Sequence, residues 1–258
     1  MTAAITFTLV GGPTVSFRYA GLHFLTDPTF DPPGTYGNLT KLAGPAVSLA
    51  SIGSVDVVLL SHDEHDDNLD DAGRAMLRTA RHVLTTPQGG ERVDVAQGMS
   101  RWDAAIIPGP DADVTVTAVP ARHGPSIVKQ KIGQVTGFVL QAQGWPTVYI
   151  SGDNSSVGKA ARVADRFTDV DIAVLFAGAA KVERLGDVLL TIDAQRAGRI
   201  AALWPDAVIV PVHIDDWAHF SEPREVFLER FGASEAATRM VVLERGEPRT
   251  VGDAVAGQ

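Results

Sequence analysis

The chain has 258 residues, with 22 Lys+Arg against 31 Asp+Glu, a formal net charge of −9 and no cysteine. The absence of cysteine excludes a disulfide framework, a thiolate zinc knuckle and a thiol nucleophile, and an acidic surface opposes a role in tracking nucleic-acid phosphates. A hydrophobic fraction of 45% with 21% charged residues is that of a globular protein, not a disordered or fibrous one.

In chain order, the opening MTAAITFTLVGG carries no basic residue ahead of its apolar run, which predicts no signal peptide. No apolar stretch reaches the ~18 residues of a membrane span, so a cytoplasmic protein is expected. Residues 5–10, 14–19 and 22–26 are apolar or alternating and β-branched, broken by Gly11-Gly12-Pro13 and Ala20-Gly21, and read as a meander of strands. Residues 27–44, rich in Pro, Gly, Asp and Thr, read as a long loop. VDVVLL at 55–60 is short and continuously apolar, like a buried central strand. Ser61 and the acidic, histidine-bearing HDEHDDNLD follow it, and a helix is predicted over 69–81 with Asp67 or Asn68 as its N-cap. The second half echoes the first. VTVTAVP at 114–120 alternates as a strand does, and 135–142 and 147–151 read as two more about a turn at Gly144-Trp145-Pro146. Helices are predicted over 156–166 and 193–203, buried strands over 171–176 and 207–212, and a closing strand over 239–243. No low-complexity or charged linker divides the chain, so one domain over 1–258 is expected. Strands in both halves, each set followed by helices, predict an α/β fold of two packed sheets with helices outside, a four-layer αββα sandwich.

The chemistry-bearing residues gather at strand ends, where the strand fixes a position and the loop exposes the side chain. His62 and His65 follow the 55–60 run, His123 follows 114–120, Asp153 in ISGDN follows 147–151, and His213 follows 207–212. Asp27 ends the third strand in the same way. Imidazole nitrogens with carboxylate oxygens form a borderline donor set suited to Zn²⁺ and acceptable to Mn²⁺ or Fe²⁺. The other readings are blander. His23 and His82 read as structural, and Gly11-Gly12-Pro13 is a turn, since no helix or lysine follows at phosphate-loop spacing. Ser155 and Ser156 have no nearby base to make either a nucleophile. His219, in WAHF, reads equally as packing, a substrate contact or a support for a ligand. Asp215 and Asp216 read either as solvated loop acids or as groups that orient His213 through its free ring nitrogen.

The succession SHDxHxDxLD, PARH, SGD and PVH, running with LTDP and WAHF over nearly the whole chain, resembles the metallo-β-lactamase-fold hydrolase superfamily. It is most similar to the ascorbate-6-phosphate-lactonase-like branch, whose relatives include phospholipase D-type enzymes acting on N-acyl-phosphatidylethanolamine. In that family a first loop H-x-H-x-D-H supplies two histidines that hold one metal with a later lone histidine. Its Asp and third histidine hold a second metal with a last histidine, and another Asp bridges the two. The resemblance implies that His123 is the lone histidine, Asp153 the bridging carboxylate, His213 the last histidine, and Asp27 a support behind the site. The first loop departs from the pattern, and two registers fit it. Counted from His62, Glu64 and Asp67 stand where histidines belong and Asp66 is the family Asp. Counted back from Leu69-Asp70, His65 is the second histidine, Asp67 the family Asp and Asn68 the third histidine, with His62 one residue further upstream than usual. The second register is preferred, because it keeps two imidazoles for the first metal. It leaves the second metal a poor amide ligand in Asn68.

The expected site is therefore His62, His65, Asp67, His123, Asp153 and His213 about one or two Zn²⁺ ions, with Asp67 and Asp153 as catalytic groups. The expected reaction is attack of metal-bound hydroxide on a small ester, lactone or phosphodiester. Lys129, Lys131 and Arg122 are candidates for stabilising the leaving group. The small-molecule substrate, with no nucleic acid and no membrane span, completes this reading. The alternative is a degenerate relative that binds a metal or metabolite with little turnover.

Overall fold

The computed structural model describes residues 3–125 and 133–252. β1 (Ile5–Gly11), β2 (Thr14–Tyr19) and β3 (Leu22–Thr26) form an antiparallel meander. The segment read as one long loop contains a small hairpin, β4 (Gly34–Tyr36) and β5 (Leu39–Lys41). A short α1 (Leu49–Ile52) precedes β6 (Val57–Leu59), which pairs parallel to β3. After α2 (Asp71–Met76), β7 (His82–Thr85), α3 (Pro87–Arg92) and β8 (Gln97–Gly98) extend the sheet in parallel.

The second sheet runs β9 (Ala104–Ile107), β10 (Val114–Pro120), β11 (Thr136–Gln141) and β12 (Val148–Ile150) antiparallel. It continues in parallel with β13 (Ile172–Phe176) and β14 (Val208–Val212). α4 (Val157–Ala164), α5 (Ala194–Ala201) and α6 (Arg224–Gly232) lie between and after these strands. The closing strand is β15 (Pro248–Val251), which returns to pair antiparallel with β1.

Two-residue periodicity explains the layering. In β13, Ile172, Val174 and Phe176 face the first sheet, while Ala173 and Leu175 face α4, α5 and α6. A strand buried on both faces must be apolar at every position, as this one is. In β6, Val57 and Leu59 point between the sheets, while Val58 and Leu60 meet Leu69, Met76 and Leu77 around α2. Phe7, Phe17 and Phe24 line the inner face in a row, with ring centroids 5.1 and 5.3 Å apart. The expected αββα order is the one observed, and no helix among the described residues is long and apolar enough to cross a membrane.

Two expectations are corrected. The helix after the acidic loop starts two residues later than predicted, because Asp70 caps it by accepting the Gly73 N–H at 2.8 Å. Asp67 and Asn68 are turned elsewhere. The closing strand is not 239–243: there the chain makes one bridge, Met240 to Ile209, beside β14 before moving on to β15.

Candidate metal centre

β3, β6, β10, β12 and β14 all end on one rim of the sandwich, and each delivers a polar side chain there. Asp27 follows β3 and is buried behind the others, its Oδ1 accepting the Ser61 N–H at 2.7 Å. That bond fixes the turn from which His62 projects. Gly152, just past β12, has φ +54, and a Cβ there would lie 2.4 Å from the Thr136 carbonyl oxygen and 2.8 Å from Ser61 Cβ. Only glycine lets the Asp153 loop pack this closely on the His62 loop. His213, past β14, holds a left-handed φ of +57, uncommon for a residue with a side chain. Its N–H donates to the Gly12 carbonyl at 2.9 Å, so the Gly11-Gly12-Pro13 turn holds it in place.

Two clusters result. His62, His65 and His123 each offer a nitrogen within 4.8 Å of the others. His62 Nε2 and His65 Nδ1 are 2.9 Å apart, close to the spacing of two nitrogens sharing a cation at about 2.0–2.1 Å. The His123 Nδ1–H donates to the Leu190 carbonyl at 2.9 Å, which leaves Nε2 as the free lone pair. Asp67, Asp153 and His213 form the second cluster, with His213 Nε2 at 3.5 Å from both Asp67 Oδ2 and Asp153 Oδ1. Asp153 lies between the clusters, its other oxygen 3.8 Å from His123 Nδ1.

The electrostatics follow from burial. Burial pushes the His62 and His65 imidazoles below their ordinary range, helped by neighbouring histidines, and lowers His123 to about 4. These rings are neutral at pH 7, the form that donates a lone pair. Burial alone would raise Asp67, but the imidazoles of His213 and His219 beside it outweigh burial and hold the carboxyl well below its usual range. Burial raises Asp153 and, with Asp153 nearby, Asp27. In His213 the pull of Asp153 and Asp67 overcomes burial and raises the imidazole.

Asp67 Oδ1, Asn68 Oδ1 and both ring nitrogens of His213 are buried without a hydrogen-bond partner. Orphaned acceptors in a buried cluster are costly unless something positive sits among them. One N₃ set and one O₂N set fit divalent zinc, manganese or iron.

The six residues expected at the site are brought together, and the side chains that meet are those of the register counted back from Asp70. Glu64 is exposed and pairs with Arg92 at 2.9 Å, and Asp66 lies outside both clusters. Asn68 donates from Nδ2 to Asp153 Oδ1 at 3.2 Å. His219 is drawn in, with Nε2 3.1 Å from Asp67 Oδ2, a contact only weakly signalled by its place after the last strand-end histidine. Asp215 and Asp216 do not orient His213. Arg224 draws off Asp215 at 3.3 Å, while Asp216 accepts the Gly12 N–H at 2.9 Å and faces Arg245. Lys129 and Lys131 lie outside the described residues. His23 is structural, held by Ser16 and the Ser54 carbonyl at 2.8 Å each.

The space over the clusters is small. A cavity of about 30 Å³, lined in part by His65, Asp67, His123, Arg184 and His219, has room for only about one or two waters. Leu39, Leu190, Trp217 and Phe220 pack as an apolar roof beside it, joining the β4–β5 hairpin to the loops after β13 and β14.

Asn68 stands beside the second cluster, its Nδ2 on Asp153 Oδ1. Asn68→His should raise occupancy of that position by roughly tenfold or more at limiting zinc, by analogy with the gains that ligand-supporting contacts bring. Metal content after dialysis checks it, and an unchanged second equivalent would show that position 68 does not face the metal.

A sandwich of this kind with histidines and aspartates on one rim is the architecture of the metallo-β-lactamase fold. Residues 23–214 match the model of the family described as the beta-lactamase superfamily domain, and the chain belongs to that family. Among its relatives, a metal-dependent hydrolase of Pyrococcus abyssi is 26% identical, over 75% of this chain and 80% of its own length. Another, from Anaeromyxobacter dehalogenans, is 27% identical over 95% of this chain and 83% of its own length. Of solved structures, a possible metal-dependent hydrolase from Veillonella parvula superposes with a TM-score of 0.82 at 19% identity, covering 96% of this chain and 100% of that one. An isothiocyanate hydrolase from Delia radicum gut bacteria gives a TM-score of 0.80 at 20% identity, covering 95% and 98%. These two share the fold.

Proposed function

We propose that the chain is a zinc-dependent hydrolase of a small ester, lactone or phosphodiester, with His62, His65 and His123 holding one ion and Asp67, Asp153 and His213 a second. The observation that carries this reading is the meeting of two donor sets on one rim, with Asp153 between them. Bound there, zinc supplies water acidified to near neutrality and a Lewis acid for the scissile oxygen. The chain's own residues do the rest. Asp67, kept ionised by His213 and His219, has a free Oδ1 to accept a hydrogen bond from the attacking water and so orient it. Asp153 ties the two halves of the site into one geometry. The apolar roof keeps bulk water out, which strengthens each charge inside. The narrow cavity favours a small or slender substrate.

The test is elemental analysis of the purified chain paired with a panel of aryl esters, lactones and phosphodiesters, with an isothiocyanate as the contrasting arm. One or two zinc per chain, and ester or phosphodiester turnover that chelation abolishes, is the expected result. Metal-loaded, folded protein that turns over no member of the panel would sink the hydrolase in favour of a binding protein. Turnover of the isothiocyanate alone would overturn the substrate class.

A further inference from the structure

We propose that a cavity beside His123 is an anion subsite that takes a carboxylate or phosphate carried by the substrate, with Arg122 as its principal ligand and Arg101 as its second. The proposal deepens the hydrolase reading and rests on it for the word substrate. The cavity measures about 210 Å³, and His123 lines both it and the small cavity over the metal clusters. The two spaces therefore share His123 as a wall residue. A molecule reaching across His123 would place its reacting bond on one side and its tail on the other.

The charge balance of the wall is what points to an anion. Arg101 and Arg122 line the cavity, and among the described residues that line it there is no Asp or Glu, in a chain whose acids outnumber its bases by 31 to 22. A neighbouring cavity of about 550 Å³ also touches Arg122, but its other cations are already neutralised: Lys181 by Asp187, Arg196 by Asp193 and Arg230 by Glu222. Among the described residues, Arg122 makes no ion pair, and its Nε is buried without a hydrogen-bond partner. A partly buried guanidinium with an unpaired Nε–H carries a desolvation cost that an incoming oxyanion would offset.

Arg122 is also held rigidly. Its N–H donates to Asn154 Oδ1 at 3.1 Å, and its carbonyl accepts the Ser155 N–H at 2.7 Å and the Ser155 hydroxyl at 3.0 Å. Asn154 Oδ1 also accepts the Ser156 N–H at 3.0 Å, at the start of α4. The loop that carries Asp153 thus clamps the backbone of Arg122, one residue from His123. Arginine presents a planar fork that matches carboxylate and phosphate alike, and a backbone fixed in this way lowers the cost of ordering it.

Calorimetric titration of the purified, metal-containing protein with inorganic phosphate and, separately, with succinate tests the subsite without any need for turnover. Arg122→Gln should weaken whichever anion binds by about ten- to hundredfold, the worth of a charge-assisted hydrogen bond. Arg101→Gln should weaken it by a smaller factor, and Arg122→Lys should restore part of the loss. Arg78→Gln, at a residue that does not line this cavity, should change nothing. Tighter binding of phosphate assigns a phosphoryl tail, and tighter binding of succinate a carboxylate tail. Equal affinity in wild type and Arg122→Gln, as when phosphate touches only the metal, overturns the proposal, as does failure of both anions to bind. Anion binding that depends on Arg122 in a chain that hydrolyses nothing would keep the subsite and remove the hydrolase.

Discussion

The Asp153→Ala variant is expected to lose turnover by on the order of a thousandfold or more while keeping the fold. A metal ion contributes several kcal/mol of transition-state stabilisation, and every 1.36 kcal/mol is a factor of ten in rate. Asp153 is the side chain placed to act on both clusters: one oxygen is 3.5 Å from His213 Nε2 and the other 3.8 Å from His123. Its loss should release the second ion and loosen the first. The fold should survive, because a buried carboxyl raised by burial is an electrostatic cost to the metal-free chain, and its removal relieves Asp27 and Asp67. The comparison is metal content by mass spectrometry, far-UV circular dichroism and kcat on the best panel substrate. His123→Ala should behave alike, but with the loss falling on the first ion. Full metal content in both variants would dismantle the ligand set.

Much of the frame could be read without coordinates. β2, β3 and β10 lie where the alternating and β-branched runs put them, and the buried parallel strands β6, β13 and β14 show as short, wholly apolar stretches. Site residues at strand ends inherit that clarity, which is why His123, Asp153 and His213 could be picked out one by one. The illegible parts lack a burial signature. β15 begins with Pro248 and exposes three of its four residues, so an edge strand beside β1 looks like a polar tail. The β4–β5 hairpin hides in a segment dense with Pro and Gly. His219 reaches Asp67 only because the loop after β14 is tied back on both sides, the Ala218 N–H donating to the Thr40 carbonyl at 3.0 Å and the Lys181 N–H to His219 at 3.0 Å. Those contacts join segments more than 30 residues apart in sequence and leave no local pattern. Asp70 illustrates a subtler loss. The sequence offered Asp67 or Asn68 as the helix cap, but both side chains are engaged at the site, and Asp70 caps the helix instead.

Acidification of the chelated protein should cost about 2 to 3 kcal/mol of stability through His123 alone between pH 7 and pH 4.5. Its imidazole is held at about 4 by burial, against an ordinary 6.5. Between those values the unfolded chain takes up a proton that the folded chain refuses, so the stabilisation is complete above pH 6.5 and disappears as pH falls towards 4. His62 and His65 are lowered by the same burial and act in the same direction. Asp27, Asp153 and His213 are raised, so each binds protons more readily folded than unfolded, and their contributions decline as pH rises. The total slope mixes both signs, and His123→Gln isolates one of them. Urea midpoints of wild type and His123→Gln, both treated with chelator, should diverge less at pH 4.5 than at pH 7, wild type losing about 2 to 3 kcal/mol more on acidification. Equal losses would mean that His123 is protonated in the folded chain at pH 4.5, and so is not the buried neutral imidazole a metal ligand must be. With zinc restored, the same protons compete with the ion for lone pairs, and the acid limb should steepen.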